Sequence, residues 1–121
     1  LVRPRESHFA HGDLNELINK MILLVSPQSK AKGIEISVAF DQAIGAVWMD
    51  PEKMKQVVLN LLSNALDFSP KGGRVEIATK KLSEEDEAGR VCIEVRDNGI
   101  GIAPEKHAVG QNNGPLTVAF Q

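Results

Sequence analysis

Apolar residues fall at helical spacing in two stretches of the chain and alternate with polar ones in several others. Leu14, Leu17, Ile18, Met21, Ile22 and Val25 recur at intervals of three and four, the pattern of one helix face turned to a core. Asp13, with Glu16 three residues on, starts this helix in the manner of a capping box. Pro27 has no amide hydrogen and is predicted to kink or break the helix, with a second helical stretch running on towards Gly33. Ile34, Ile36, Val38 and Phe40 then alternate with Glu35, Ser37 and Ala39, which predicts a half-buried strand. The stretch "AVWMD" predicts another short strand, with Trp48 in the core.

Asp50-Pro51 is a strong helix start, a capping carboxylate followed by proline at the first helical position. Met54, Val57, Val58, Leu61, Leu62, Ala65 and Leu66 form one apolar stripe that ends near Phe68, before "SPKGG". Val75 to Leu82 and Val91 to Val95 read as two strands joined by the acidic, solvated loop "SEEDEAG", and "LTVAF" near the end is a further candidate strand. Leu1 to Gly12 is polar and irregular and reads as a linker. Helices segregated from strands that neighbour one another in a hairpin predict an α+β two-layer sandwich.

The chain has 121 residues, enough for one domain with one core. A net charge of -2 gives no reason to expect nucleic acid or an anionic membrane as partner. The single cysteine, Cys92, cannot form an internal disulfide, which suggests a reducing compartment, and its place on a strand suggests an inert thiol. No apolar run reaches the roughly 20 residues that span a bilayer. The opening "LVRPRESHF", without a methionine, reads as a piece of a longer protein.

Two stretches carry candidate chemistry. Asn60, Asn64 and Asp67 are spaced i, i+4, i+7 and share one helix edge beside the apolar stripe, with Phe68 nearby. Asparagine is a poor helix former because its side chain competes for backbone hydrogen bonds. Either the edge simply tolerates it or uses it to cap a neighbouring loop, or its carbonyl is a hard oxygen ligand of the kind Mg²⁺ accepts beside waters and phosphates. The second stretch is "VRDNGIGIAP". Asn98-Gly99 is a favoured hairpin turn, yet little of a returning strand follows before Pro104. Alternatively Gly99 and Gly101 let bare backbone approach a flat ligand, with Asp97 accepting from an exocyclic amine.

Taken together, "NLLSNALDFSPKGG" and, one hairpin later, "DNGIGIAPE" closely resemble the N box and G1 box of sensor histidine kinases in the GHKL ATPase superfamily. The resemblance runs from about Asp13 to Glu105. It implies a Bergerat-type fold, helices packed on one face of a mixed sheet, with ATP and Mg²⁺ as cofactors. It implies Asn64 as the metal-binding residue, Asn60 as the polar position one turn earlier, and Phe68 as an aromatic beside the nucleotide. Asp97 would bond the adenine amine, and Gly99, Ile100 and Gly101 would line the base. The domain would bind ATP and present its γ-phosphate to a histidine on a separate dimerisation domain, with a response regulator downstream. By itself it would be monomeric and unable to phosphorylate itself. Residues 1–12 would be the linker from the dimerisation domain and 13–121 the ATP-binding domain, cytoplasmic, with membrane anchoring of the parent left open.

Three features depart from the family pattern. Asp67 stands where many members carry Lys or Arg reaching the phosphates. Residues 106–121, "KHAVGQNNGPLTVAFQ", lack the glycine-rich lid motif, a truncated or divergent end. His8, His11 and His107 lie outside any phosphoacceptor motif and read as surface histidines. These departures support an alternative, a nucleotide-binding regulatory module whose catalysis has decayed. The gyrase and chaperone branches place a general-base glutamate where Asn60 stands, and an amide cannot fill that role.

Overall fold

The structure is a computed structural model that describes residues 8–81 and 91–97, together with the backbone of 116–120. The elements are β1 (Ala10–Gly12), α1 (Leu14–Lys32), β2 (Glu35–Ala39), β3 (Val47–Met49), α2 (Pro51–Phe68), β4 (Arg74–Lys81), β5 (Val91–Asp97) and β6 (Leu116–Phe120). Four strands form one sheet in the order β2-β4-β5-β6, and β1 pairs with β3 in a small sheet of its own. β2 runs parallel to β4, while β4–β5 and β5–β6 are antiparallel, so the main sheet is mixed. "LTVAF" is thus a strand, laid along β5.

The stripes read from the sequence become the core. Leu14 and Ile18 of α1, Val58, Leu62 and Leu66 of α2, and Val75, Ile77, Ile93 and Val95 of the sheet are all fully buried. The two helices pack on each other, α1 against β2 and α2 against β5. The alternate positions Glu76, Glu94 and Arg96 sit on the opposite face of the sheet, where Arg96 pairs with both carboxylates. One apolar face covered by helices and one charged face in water is the two-layer arrangement the pattern implied.

Four local expectations are corrected. Pro27 does not break α1, which is continuous through it. The carbonyl that proline leaves without a donor is that of Leu23, whose residue is 72% exposed, so water can serve it. Trp48 is not in the core and is 53% exposed. In a three-residue strand only alternate side chains point inward, and here Val47 and Met49 take the buried side. Trp48 instead stacks with Phe9 at 6.0 Å and meets His11 at 4.9 Å. The segment read as irregular ends in a real strand, because Ala10, His11 and Gly12 pair with Met49, Trp48 and Val47. β2 is an edge strand with only Ile36 half-buried, and Val38 is exposed. An edge strand has one neighbour and less cover from the helices than the alternation suggested.

Candidate functional site

α2 is anchored at its start by a buried carboxylate. Asp50 accepts the amides of Glu52 at 3.1 Å and Lys53 at 3.4 Å, and its second oxygen takes the amide of His8 at 3.0 Å. The cap therefore also ties the chain ahead of β1 to the helix. From this start α2 runs unbroken to Phe68 and carries the candidate residues along one edge. Asn60 and Asp67 are exposed, Asn64 and Phe68 half-buried, and Phe68 packs against the core. Among the described residues no hydrogen bond or ion pair holds the side chains of Asn60, Asn64 or Asp67.

Just past α2 the chain turns through "SPKGG" into β4. Asp97 closes β5 directly across the ladder from Val75. That register puts its side chain on the helix-covered side of the sheet with Ile93 and Val95, and its Oδ2 is buried. The end of α2, which leads through this turn into β4, and Asp97, opposite the second residue of β4, thus lie at the same end of the sheet. Asn98, Gly99, Ile100 and Gly101, the rest of the second candidate stretch, lie outside the described residues, as does His107.

Two polar constructions at the sheet ends were not legible as such in the sequence. Lys32, at the end of α1, reaches the last turn of α2 and donates to the carbonyls of Leu66 (2.7 Å), Asp67 (3.1 Å) and Ser69 (2.8 Å). At the other end, Thr79 donates to the side chain of Asn15 (2.9 Å) and accepts the amide of Asp41 (3.1 Å). The Asn15 amide in turn reaches the Asp41 carbonyl (3.3 Å). The Asp41 carboxylate takes the amides of Lys81 (2.9 Å) and Ala43 (2.9 Å), and these donors hold its carboxyl below the usual range. The sequence signals were faint: an asparagine in a first helical turn, a threonine on a buried strand face, a lysine before a helix-ending glycine.

His8 and His11 are exposed, as expected of surface histidines, though His11 packs on Trp48. Cys92 is buried. Among the described residues no group of three or more His, Cys, Asp or Glu could hold a metal ion, and no helix is long and apolar enough to cross a membrane.

These features define a two-layer α+β domain that presents a polar helix edge and a strand-end carboxylate at one end of a mixed sheet. The chain belongs to the histidine kinase-, DNA gyrase B-, and HSP90-like ATPase family, which it matches over residues 49–118. It is 32% identical over 106 residues to the sensor histidine kinase ZraS of Klebsiella oxytoca, covering 88% of this chain and 22% of that protein. Full-length ShkA, solved in complex with AMPPNP, superposes with a TM-score of 0.70 and 31% identity over 84% of this chain and 21% of its own. The catalytic domain of the histidine kinase ThkA superposes with a TM-score of 0.69 and 26% identity over 81% of this chain and 64% of its own, and ThkA has also been solved with the response regulator TrrA. The chain thus spans about a fifth of the length of ZraS. The fold is the Bergerat-type sandwich, as the resemblance implied.

Proposed function

We propose that this chain is the ATP-binding catalytic domain of a two-component sensor histidine kinase. The observation that carries the reading is the match to this ATPase family over residues 49–118, and it is supported by α2 ending at the same end of the sheet as Asp97. Asn64 sits half-buried with its side chain held by nothing in the described residues, so its oxygen is available to a metal that arrives with a nucleotide. Without a cage of acidic ligands among the described residues, such a metal would be shared with the phosphates. Mg²⁺, when bound, supplies positive charge against those phosphates.

The roles then divide along the site. Asp97 accepts the adenine amino group, with Gly99, Ile100 and Gly101 against the base. Phe68 packs beside the nucleotide, and Asn60, Asn64 and Asp67 face its phosphates. The chain positions the γ-phosphate, and the accepting histidine belongs to a dimerisation domain elsewhere in the parent protein. Catalysis in phosphoryl transfer is mainly positioning and charge stabilisation. A response regulator is the partner downstream; the complex of ThkA with the response regulator TrrA supports this assignment.

Calorimetric titration of ADP, GDP and ATP, with and without Mg²⁺, tests the reading. Guanine offers a carbonyl where adenine offers an amine, so ADP should bind more tightly than GDP, and Mg²⁺ should strengthen ATP. Equal affinity for ADP and GDP would overturn the assignment of Asp97. Acid-labile phosphate on His8, His11 or His107 after incubation with ATP would overturn the external phosphoacceptor.

The exposed carboxylate of Asp67 favours a second reading, a nucleotide-binding module without catalysis, since it repels a triphosphate. Exposed charge pairs contribute about 0–1 kcal/mol, so Asp67→Lys is expected to tighten ATP by about twofold to fivefold, and ADP less. Weaker ATP binding by this variant only in the presence of Mg²⁺ would show instead that Asp67 helps hold the metal.

A further inference from the structure

Lys32 closes α1, but its side chain serves another helix. The three ammonium hydrogens have three acceptors, the carbonyls of Leu66, Asp67 and Ser69. An α-helix leaves its last four carbonyls without intrahelical partners, and α2 has no basic residue in its own last turn. Lys32 satisfies two of those carbonyls and the one just beyond them. It also sets a positive charge at the negative end of the helix dipole.

The residue that grips is itself gripped. The Lys32 carbonyl accepts the amide of Gly72 at 2.9 Å. Gly33 follows in the left-handed conformation, φ 66°, with its amide turned back to Lys30. One more bond, from Glu35 to the Gly73 carbonyl, ties the following strand to the same turn. Lys32 is therefore held by backbone on both sides while its side chain holds the end of α2.

We propose that Lys32 is a positioning residue for the nucleotide site, acting through the last turn of α2 on Asn64 and Asp67. This rests on the nucleotide-binding reading above. The Asp67 carbonyl is a direct partner of the ammonium. Helical geometry puts the Asn64 carbonyl opposite the Phe68 amide, within the turn that Lys32 secures. Because no side-chain bond in the described residues orients Asn64 or Asp67, their directions follow the backbone of that turn. Asp97 stands on β5 and takes its direction from the sheet. Loss of the Lys32 ammonium should degrade the metal and phosphate end of the site and spare the base end.

The experiment is a calorimetric titration of Mg–ATP and of adenosine into the wild-type chain, Lys32→Met and Lys32→Arg. Lys32→Met is expected to weaken Mg–ATP by about tenfold, the scale of a lost charged hydrogen bond, with adenosine changed by less than about twofold. Lys32→Arg, which keeps charge and several donors, should recover most of the loss. Equal weakening of both ligands would make Lys32 a general stability residue and overturn the proposal, as would unchanged binding of Mg–ATP. Where Lys32→Met does not fold, Lys32→Gln, which drops the charge and keeps donors, carries the same comparison. A wild-type chain that binds neither ligand would overturn the nucleotide reading itself, and this proposal with it, before any variant is made.

Discussion

The two ends of the main sheet are both sewn to the helices, but with different atoms. At the Thr79 end the stitches are side chains: Thr79, Asn15 and Asp41 answer one another and the amides of Lys81 and Ala43. At the Asp97 end the helix is held through its backbone carbonyls, by Lys32. The polar side chains on this stretch of α2, half-buried Asn64 and exposed Asp67, have no hydrogen bond or ion pair among the described residues. A network of mutually bonded side chains rigidifies the end that holds it. An end tied by its main chain keeps its side-chain oxygens available. On the proposed function, the difference separates an end built for stability from one built for binding.

The largest effect that could break this contrast is expected from Asp97→Ala. Removing a charge-assisted hydrogen bond to the adenine amine costs about 1.5–3 kcal/mol, which is about tenfold or more in ADP affinity by calorimetry. Unchanged affinity would mean that the Asp97 end is not a binding end. Thr79→Val tests the opposite end with the opposite readout. It leaves the Asp41 amide and the Asn15 oxygen without their hydroxyl partner in a buried position, at about 1–3 kcal/mol in denaturant unfolding. ADP affinity should not move, and a matching loss of affinity would erase the distinction between the ends.

The smallest effect is the pH dependence of Asp41. Its carboxyl is held down mainly by the Lys81 amide and then by the Ala43 amide. A depressed folded-state pKa adds stability that is present above the unfolded value and lost as pH falls through the folded one. Acid titration of the unfolding midpoint should therefore show a decline below the ordinary carboxylate range that is shallower in Asp41→Asn. Identical acid profiles would mean that these bonds do not survive in solution. Because this side chain is open to solvent, the change should be small.

Much of the fold was written in periodicity and caps. Asp13 does accept the amide of Glu16, and Asp50 with Pro51 does start α2. The asparagine edge was readable because asparagine is unfavourable inside a helix and its recurrence one turn apart asks for a cause. What escaped depends on distance in space. Nothing local distinguishes Lys32 from the lysines beside it until α1 and α2 are packed, and the bonds of Thr79 reach residues 38 and 64 positions away. Trp48 was misplaced because large aromatics are usually buried, while the position of a side chain in so short a strand is set by register with β1. The chain through Pro27 stayed helical because its missing bond falls on a wet face.

The parallel pairing of β2 with β4 has a consequence for the order in which the molecule assembles. That ladder joins residues 35–39 to 74–78, and all of α2 lies between the two strands. Such a pairing pays a large loop-closure entropy before its contacts form, whereas the β4–β5 ladder closes a shorter span and α2 is local. The hairpin and α2 should protect their amides early in refolding and β2 late, which pulsed hydrogen exchange would register. On a ribosome the Lys32 clasp needs nothing beyond residue 72, whereas the Thr79 network waits for residues 79 and 81, so the end of α2 can be set before the opposite end of the sheet has its last partners.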